Sequence, residues 1–565
     1  MGSGRDSACG LDGSVRPAVG ATSPAAAGSA PSRGRRGRGF ERPAGRKGSR
    51  VLRACRDRRK GRRRPRRRGA PAARPVWPPV HPCGILARRP PAPPREPDMS
   101  IPTPIFDRLL AECIGRPQAY AALGELCDSV GGRTSGAPSG DRAEAWGHAL
   151  FTAWGLADAR YEPFEVTVWQ RGTIDAHVDS PAAWRLTAVA HGNAPPAADL
   201  TARLVDAGHG ERPDYDRLGD GVRGKIVLCD EGAGDGRRRL HRSEKLLLAA
   251  EHGAVALMIQ SSAPGGLPRT GVCHAGQAPI ASLGISLEDG ERLRRLIRAG
   301  AVPTATIRMT NHVAPGTARN VLADLPGREL PGEVILVGGH LDSWDLAQGA
   351  TDNGLGAAIV LEIARALASL DQRPRRTVRF ALWAAEEIGL RGSKHHAALH
   401  APSLAAIRAV LNFDMTGDPY GYWTPGRPDP GPLLRDLSRR LAPLGMRDHF
   451  DHKAGLHSDH QPFMLAGVPV VGILGDLGEQ GGRYYHSVGD TFEKVSLPAF
   501  GRAAAVGAIT AYALADTLAP PLAHLDPAGV RAMIDAAGLH EALVAEGYDG
   551  PPMHAAPATP DGRIG

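Results

Sequence analysis

No stretch of this 565-residue chain approaches the roughly eighteen consecutive apolar residues of a transmembrane helix, so a membrane-spanning segment is not expected. Aromatic residues make up only 5% of the chain, which argues against a protein built on base-stacking platforms. The seven cysteines are scattered and form no C-x-x-C pair, so no disulfide scaffold is encoded and a reducing compartment is the expectation. A Gly-x-Ser-x-Gly elbow is missing, which disfavours a serine hydrolase. Gly354-x-Gly356 lacks the third glycine of a dinucleotide fingerprint and reads as a packing element at the start of a helix. Neither Met1 nor Met99 is followed by the continuous apolar core of a signal peptide, so a cytoplasmic location is expected.

What is present divides unevenly. The net charge of +10 resembles a nucleic-acid signal until the chain is split. Residues 1–98 carry 25 Lys+Arg against 6 Asp+Glu, and the remainder carries 44 against 53, so the body is mildly acidic. The first 98 residues are Arg-rich and then Pro-rich, too polar to bury a core, and are read as a disordered tail. Three roles remain for it: a nucleic-acid arm, a transit-like leader, or a segment outside the natural protein, whose start would then be Met99. Length and a hydrophobic fraction of 42% fit several domains in the rest.

Apolar spacing predicts helices over 105–114, 119–130 and 142–156 and strands over 161–171 and 184–190. Residues 193–312 read as a separate α+β module with short buried strands at 225–229, 254–259 and 279–285. Few titratable groups cluster there, which suggests packing or recognition. Residues 313–518 alternate strands (334–337, 377–383, the end of 405–413, 468–473) with helices (354–370, 500–518). That order predicts an α/β domain with a mostly parallel sheet flanked by helices, where ligands bind beyond the carboxyl ends of strands. Residues 99–192 would complete this domain and 519–565 form a C-terminal extension.

The chemistry-bearing residues sit at those ends. His340 and Asp342 follow a buried strand two residues apart and share a face while the chain is extended, a spacing that suits an imidazole ligand and its orienting carboxylate. Asp352 precedes a helix and, taken alone, reads as a helix N-cap or first-turn acid rather than a ligand. Glu386 and Glu387 end an apolar strand, where adjacent carboxylates repel and desolvate poorly unless a cation partners them. Asp414 ends another strand, and His486 lies in a turn-rich loop after Tyr485. Mixed nitrogen and oxygen donors suit zinc, with cobalt or manganese as substitutes. His395, His396 and His400 read as the solvated face of a helix, although the i, i+4 pair has metal-capable spacing. His449, His452, His457 and His460 read as loop histidines.

His340-x-Asp342, Asp352, Glu386-Glu387, Asp414 and Tyr485-His486 together resemble the co-catalytic zinc peptidases of family M28 over about 335–500. The segment Leu126-Cys-Asp-Ser-Val-Gly-Gly-Arg-Thr-Ser-Gly136 extends the likeness to carboxypeptidase Q-like (plasma glutamate carboxypeptidase type) members, and 193–312 resembles their inserted protease-associated (PA) domain. The resemblance implies a zinc-exopeptidase fold of the phosphorylase/hydrolase-like class and two zinc ions. His340 and Asp414 would hold one ion, Glu387 and His486 the other, and Asp352 would bridge both. Asp342 would support His340, Glu386 would be the general base for the two-metal activated water, and Tyr485 would stabilise the oxyanion. Carboxypeptidase Q-like members often have His at the Tyr485 position, a departure in this chain. Ser458-Asp-His-Gln-Pro-Phe463 matches a further family segment with no assigned role. The implied activity is an aminopeptidase or dipeptidase acting on a peptide or dipeptide, with no specific nucleic acid, no membrane, and a homodimer left open. A glutaminyl cyclase-like enzyme and a non-catalytic receptor-like member are the rivals, and secretion is the alternative location implied by relatives.

Overall fold

Two long antiparallel strands, Ala157–Ser180 and Thr304–Leu325, run the length of the sheet in the computed structural model, which describes residues 101–520 and 522–548. The expected tail over 1–98 and the last residues of the C-terminal extension lie outside the described residues. Alternation explains the first strand: Phe164, Val166 and Val168 are buried while Glu165 and Thr167 between them are exposed. It continues past the predicted end at 171 because the register shifts there and alternation resumes at Ile174, Ala176 and Val178. Gly172 fits that shift because a Cβ would lie 2.3 Å from the Thr310 carbonyl oxygen.

The second long strand joins two groups of strands. On one side lie Arg376–Trp383, Leu330–His340 and Ile407–Asn412 in that spatial order, the three parallel to one another and Arg376–Trp383 antiparallel to Thr304–Leu325. On the other lie Ala197–Asp206, Ile226–Asp230, Ala256–Gln260 and Ala281–Ile285, parallel to one another. The expected separate α+β module therefore shares a sheet with the catalytic half. Its helices begin at chemically clear points; Ser286 Oγ, for example, accepts from Asp289 N at 3.1 Å to cap Leu287–Arg298.

In the catalytic half the strands are buried on both faces. Ile335 and Val337 pack with the helices Leu355–Ala368 and Leu497–Asp516, while Leu336 between them packs with Phe463 and Ala397 on the opposite face. The fold is a mixed sheet flanked by helices. Helix Leu497–Asp516 is long and apolar enough to cross a membrane by length and composition, which the run-length criterion missed because Arg502 interrupts it. Its residues from Ala503 to Ala515 are buried in the protein core.

Other bounds shift for local reasons. The 105–114 helix divides into an α-helix, Thr103–Leu110, and a π-turn, Ala111–Gly115. The 405–413 run is a 3-10 segment, Ala401–Ala406, and a strand. The expected strand over 468–473 is displaced to Gly472–Asp476, where it pairs with Asp418–Trp423; Val470 keeps only an isolated bridge to Val410.

Candidate metal centre

Three neighbouring parallel strands end side by side and deliver His340, the Glu386-Glu387 pair and Asp414 to one place. Gly339 lets the first strand approach its neighbours, since a Cβ there would lie 2.6 Å from the Phe413 carbonyl oxygen. Asp352 arrives on the segment before helix Leu355–Ala368, and His486 on the turn after helix Gly478–Tyr484. Ala385, Met415 and His486 beside these side chains adopt positive φ (60°, 49° and 52°), strain of about 1 kcal/mol each that clusters at the site.

The donors converge. His340 Nε2 lies 3.3 Å from Asp352 Oδ1, 3.6 Å from Asp414 Oδ1 and 3.9 Å from Glu386 Oε2. His486 Nε2 lies 3.0 Å from Asp352 Oδ2 and 3.0 Å from Glu387 Oε2. The two oxygens of Asp352 thus face two different imidazoles. Two groups of metal-capable atoms result, His340–Glu386–Asp414 and Asp352–Glu387–His486.

Surrounding groups fix each donor. Asp342 has a second task beyond the expected one: its Oδ1 and Oδ2 accept from the backbone amides of Glu386 (3.1 Å) and Glu387 (3.2 Å), while His340 Nδ1 is 3.1 Å from its backbone carbonyl and 3.6 Å from its carboxylate. Ser458 Oγ donates to Asp414 Oδ2 at 2.6 Å and accepts from Asn412 Nδ2 at 2.7 Å, which gives the Ser458 segment its role. His486 Nδ1 lies 3.2 Å from the carbonyl oxygen of Thr270, in the inserted module. When the imidazole is neutral, donation to that carbonyl leaves the Nε2 lone pair facing the carboxylates, free to hold a cation.

Sequence reasoning missed two residues. Asp490 is buried and accepts from the amides of Thr351 (2.7 Å) and Asp352 (3.0 Å). Arg133 is fully buried and donates to the carbonyls of Leu341, Gln348 and Gly349 at 2.6–2.7 Å, clamping the loop between His340 and Asp352. Arg133 stands inside the quoted Leu126–Gly136 segment and Asp490 four residues after His486, but their partners are backbone atoms, which leave no side-chain pattern to read.

The electrostatics call for a cation. Burial pushes Glu386 well up from the ordinary carboxylate range, and the neighbouring Asp414 and Glu387 add to the shift against the pull of His340. Burial raises Glu387 to about 7, opposed by His486. Burial resists the charge of His486, but Glu387 and Asp352 outweigh it and raise the imidazole to about 9. Glu387 Oε1 is buried with no hydrogen-bond partner. Two imidazoles, a surplus of buried carboxylates and an orphaned carboxylate oxygen fit divalent metal.

A cavity of about 630 Å³ opens over the cluster. The catalytic half lines it with Lys394, Arg391 and Tyr485, and the inserted module with His241, Arg242 and His274. The Tyr485 ring stacks on His486 with centroids 3.7 Å apart. His460, expected as a loop histidine, is buried edge-on to Trp423 and also faces this cavity.

The sequence profile of peptidase family M28 matches residues 320–510, and that of the PA domain matches residues 200–293. Carboxypeptidase Q of Mus musculus is 31% identical over 409 residues, covering 71% of this chain and 86% of its own length. Leucine aminopeptidase 2 of Arthroderma otae is 33% identical over 48% of this chain and 52% of its own length. Among solved structures, a peptidase M28 precursor from Shewanella amazonensis SB2B matches with a TM-score of 0.67 and 26% identity, over 75% of this chain and 98% of that one. BSAP, a zinc aminopeptidase from Bacillus subtilis, matches with a TM-score of 0.54 and 25% identity, over 70% and 93%. The chain belongs to peptidase family M28 and is a metallo-exopeptidase, a hydrolase of peptide bonds.

Proposed function

We propose that this peptidase is a two-zinc exopeptidase that trims short peptides, of the aminopeptidase or dipeptidase type. The observation that carries the reading is the placement of Asp352, whose two carboxylate oxygens face His340 and His486 separately. His340 and Asp414 would hold one ion, Glu387 and His486 the other, and Asp352 would reach both. When bound, such ions supply Lewis acidity and lower the pKa of water at the site.

This chain's own residues supply the rest. Glu386 accepts a proton from the attacking water at a carboxylate oxygen and returns it to the leaving amine nitrogen, a role favoured by its raised pKa. Asp342 holds the Glu386 and Glu387 backbone so that neighbouring carboxylates serve different imidazoles. The Tyr485 hydroxyl donates to the oxyanion that develops on the scissile carbonyl. Arg242, Arg391 and Lys394 on the cavity wall favour a substrate short enough to present its own carboxylate there.

Relatives named carboxypeptidase Q and leucine aminopeptidase 2 support exopeptidase action. The complete donor set favours hydrolysis over a receptor-like role, and the Glu386 base with two candidate metal groups favours it over glutaminyl cyclisation. Metal analysis combined with a screen of dipeptides, aminoacyl anilides and N-terminal glutaminyl peptides tests the proposal. Two bound zincs with release of free amino acids are expected; cyclisation alone, or no turnover at full metal loading, would overturn it.

A further inference from the structure

A third cluster of metal-capable side chains stands outside the lining of the cavity. Glu162 projects from the long strand Ala157–Ser180; His396 and His400 come from helix Arg391–Leu399 and its C-terminal cap. The expected solvated helix face is not what the structure shows. His396 is buried against Trp383 and Phe463, while the His400 side chain is 36% exposed and that of Glu162 10%. His396 Nδ1 lies 3.0 Å from each oxygen of Glu162, and His400 Nε2 lies 2.8 Å from Glu162 Oε2.

The build repeats that of the candidate metal centre. There, imidazole nitrogens approach carboxylate oxygens at 3.0–3.6 Å, apart from the longer approach to Glu386. There, too, a neutral donor steadies a carboxylate, as Ser458 does for Asp414. Here Asn320 Nδ2 donates to Glu162 Oε1 at 3.0 Å, and Asn320 Oδ1 is itself fixed by the Ala384 amide. The adjacent cation Arg379 is engaged by both oxygens of Asp324 at 2.8 and 2.9 Å, so its charge is already matched. The i, i+4 histidines place two nitrogens on one helix face, and the strand supplies the oxygen. Two imidazoles and one carboxylate form a three-donor set that suits a borderline divalent cation, zinc above the harder ions.

We infer that Glu162, His396 and His400 form an additional zinc site, outside the reaction, that staples the long strand to the helix following the Glu386-Glu387 loop. His400 is the route of entry, and solvent completes the coordination there.

The test counts zinc on the full chain by elemental mass spectrometry after saturation with zinc and dialysis into metal-free buffer. Wild type should hold one equivalent more than His400→Ala and than Glu162→Gln, and both variants should lose several degrees of zinc-dependent thermal stabilisation while keeping peptidase activity within about twofold at moderate temperature. Asp352→Ala should retain one equivalent, and cobalt bound to it should give a visible absorption band that adding His400→Ala abolishes. Equal zinc content in wild type and His400→Ala would overturn the inference and leave a hydrogen-bonded clasp; His400 is partly exposed, so this comparison stands even if Glu162→Gln fails to fold. Because the last equivalent is read in the absence of Asp352, failure here and failure of the two-zinc reading give different counts.

Discussion

Glu386 and Glu387 are sequence neighbours with opposite assignments, one oxygen 3.9 Å from His340 and the other 3.0 Å from His486. Glu386→Gln is expected to lower kcat by about 10²–10⁴ while metal content stays near normal. Loss of metal from that variant would move Glu386 into the holding set. Asp352→Ala removes the carboxylate shared by both imidazoles, so both catalytic metals should be lost on dialysis; two tightly retained ions there would remove the bridging role. Tyr485→Phe should lower kcat by about 10²-fold with KM little changed, and an unchanged rate would strike the hydroxyl from the reaction. At this scale the residue types and their order were legible. The work of Asp490, Arg133 and Thr270 was not, because it runs through backbone amides and carbonyls that every residue possesses.

At the scale of elements, donors stand where strands run out. A strand end leaves backbone groups unpaired and a side chain free to turn toward its neighbours, so three adjacent parallel strands make a row of donors. The row closes only because the adjoining helix starts very close to it. At Gly356 a Cβ would lie 2.2 Å from the Phe413 carbonyl oxygen and 2.3 Å from Asn353 Oδ1, and that same Oδ1 accepts from the amides of Gly356 and Met415. Gly356→Ala should therefore destabilise the protein by about 1–3 kcal/mol and lower metal retention with it, read by thermal unfolding and zinc content. The sequence marked this glycine as a packing element without revealing its partner. The strand shifted from 468–473 to Gly472–Asp476 shows the opposite limit: an apolar run announces burial, and only a partner such as Asp418–Trp423 decides which residues pair.

On the scale of the whole molecule, the inserted module is part of the site. Its Thr270 carbonyl sets the tautomer of His486, and its His241 and Arg242 form one wall of the cavity. Arg242→Ala should raise KM about tenfold or more for a peptide with a free carboxylate and leave kcat nearly unchanged; equal effects on an uncharged anilide would place Arg242 outside recognition. The module looked poor in chemistry because it contributes one backbone atom and a charged wall, neither of which forms a motif.

By itself, the sequence determined the α/β class, the candidate donor residues and the strand-end positions of His340, the Glu386-Glu387 pair and Asp414, since periodicity and side-chain type are local properties. Tertiary structure alone decided which donors meet. It turned one oxygen of Asp352 to His340 and the other to His486, buried His396 against Glu162, and brought the insert over His486, because all of these contacts except His340–Asp352 join residues more than a hundred positions apart and depend on sheet order.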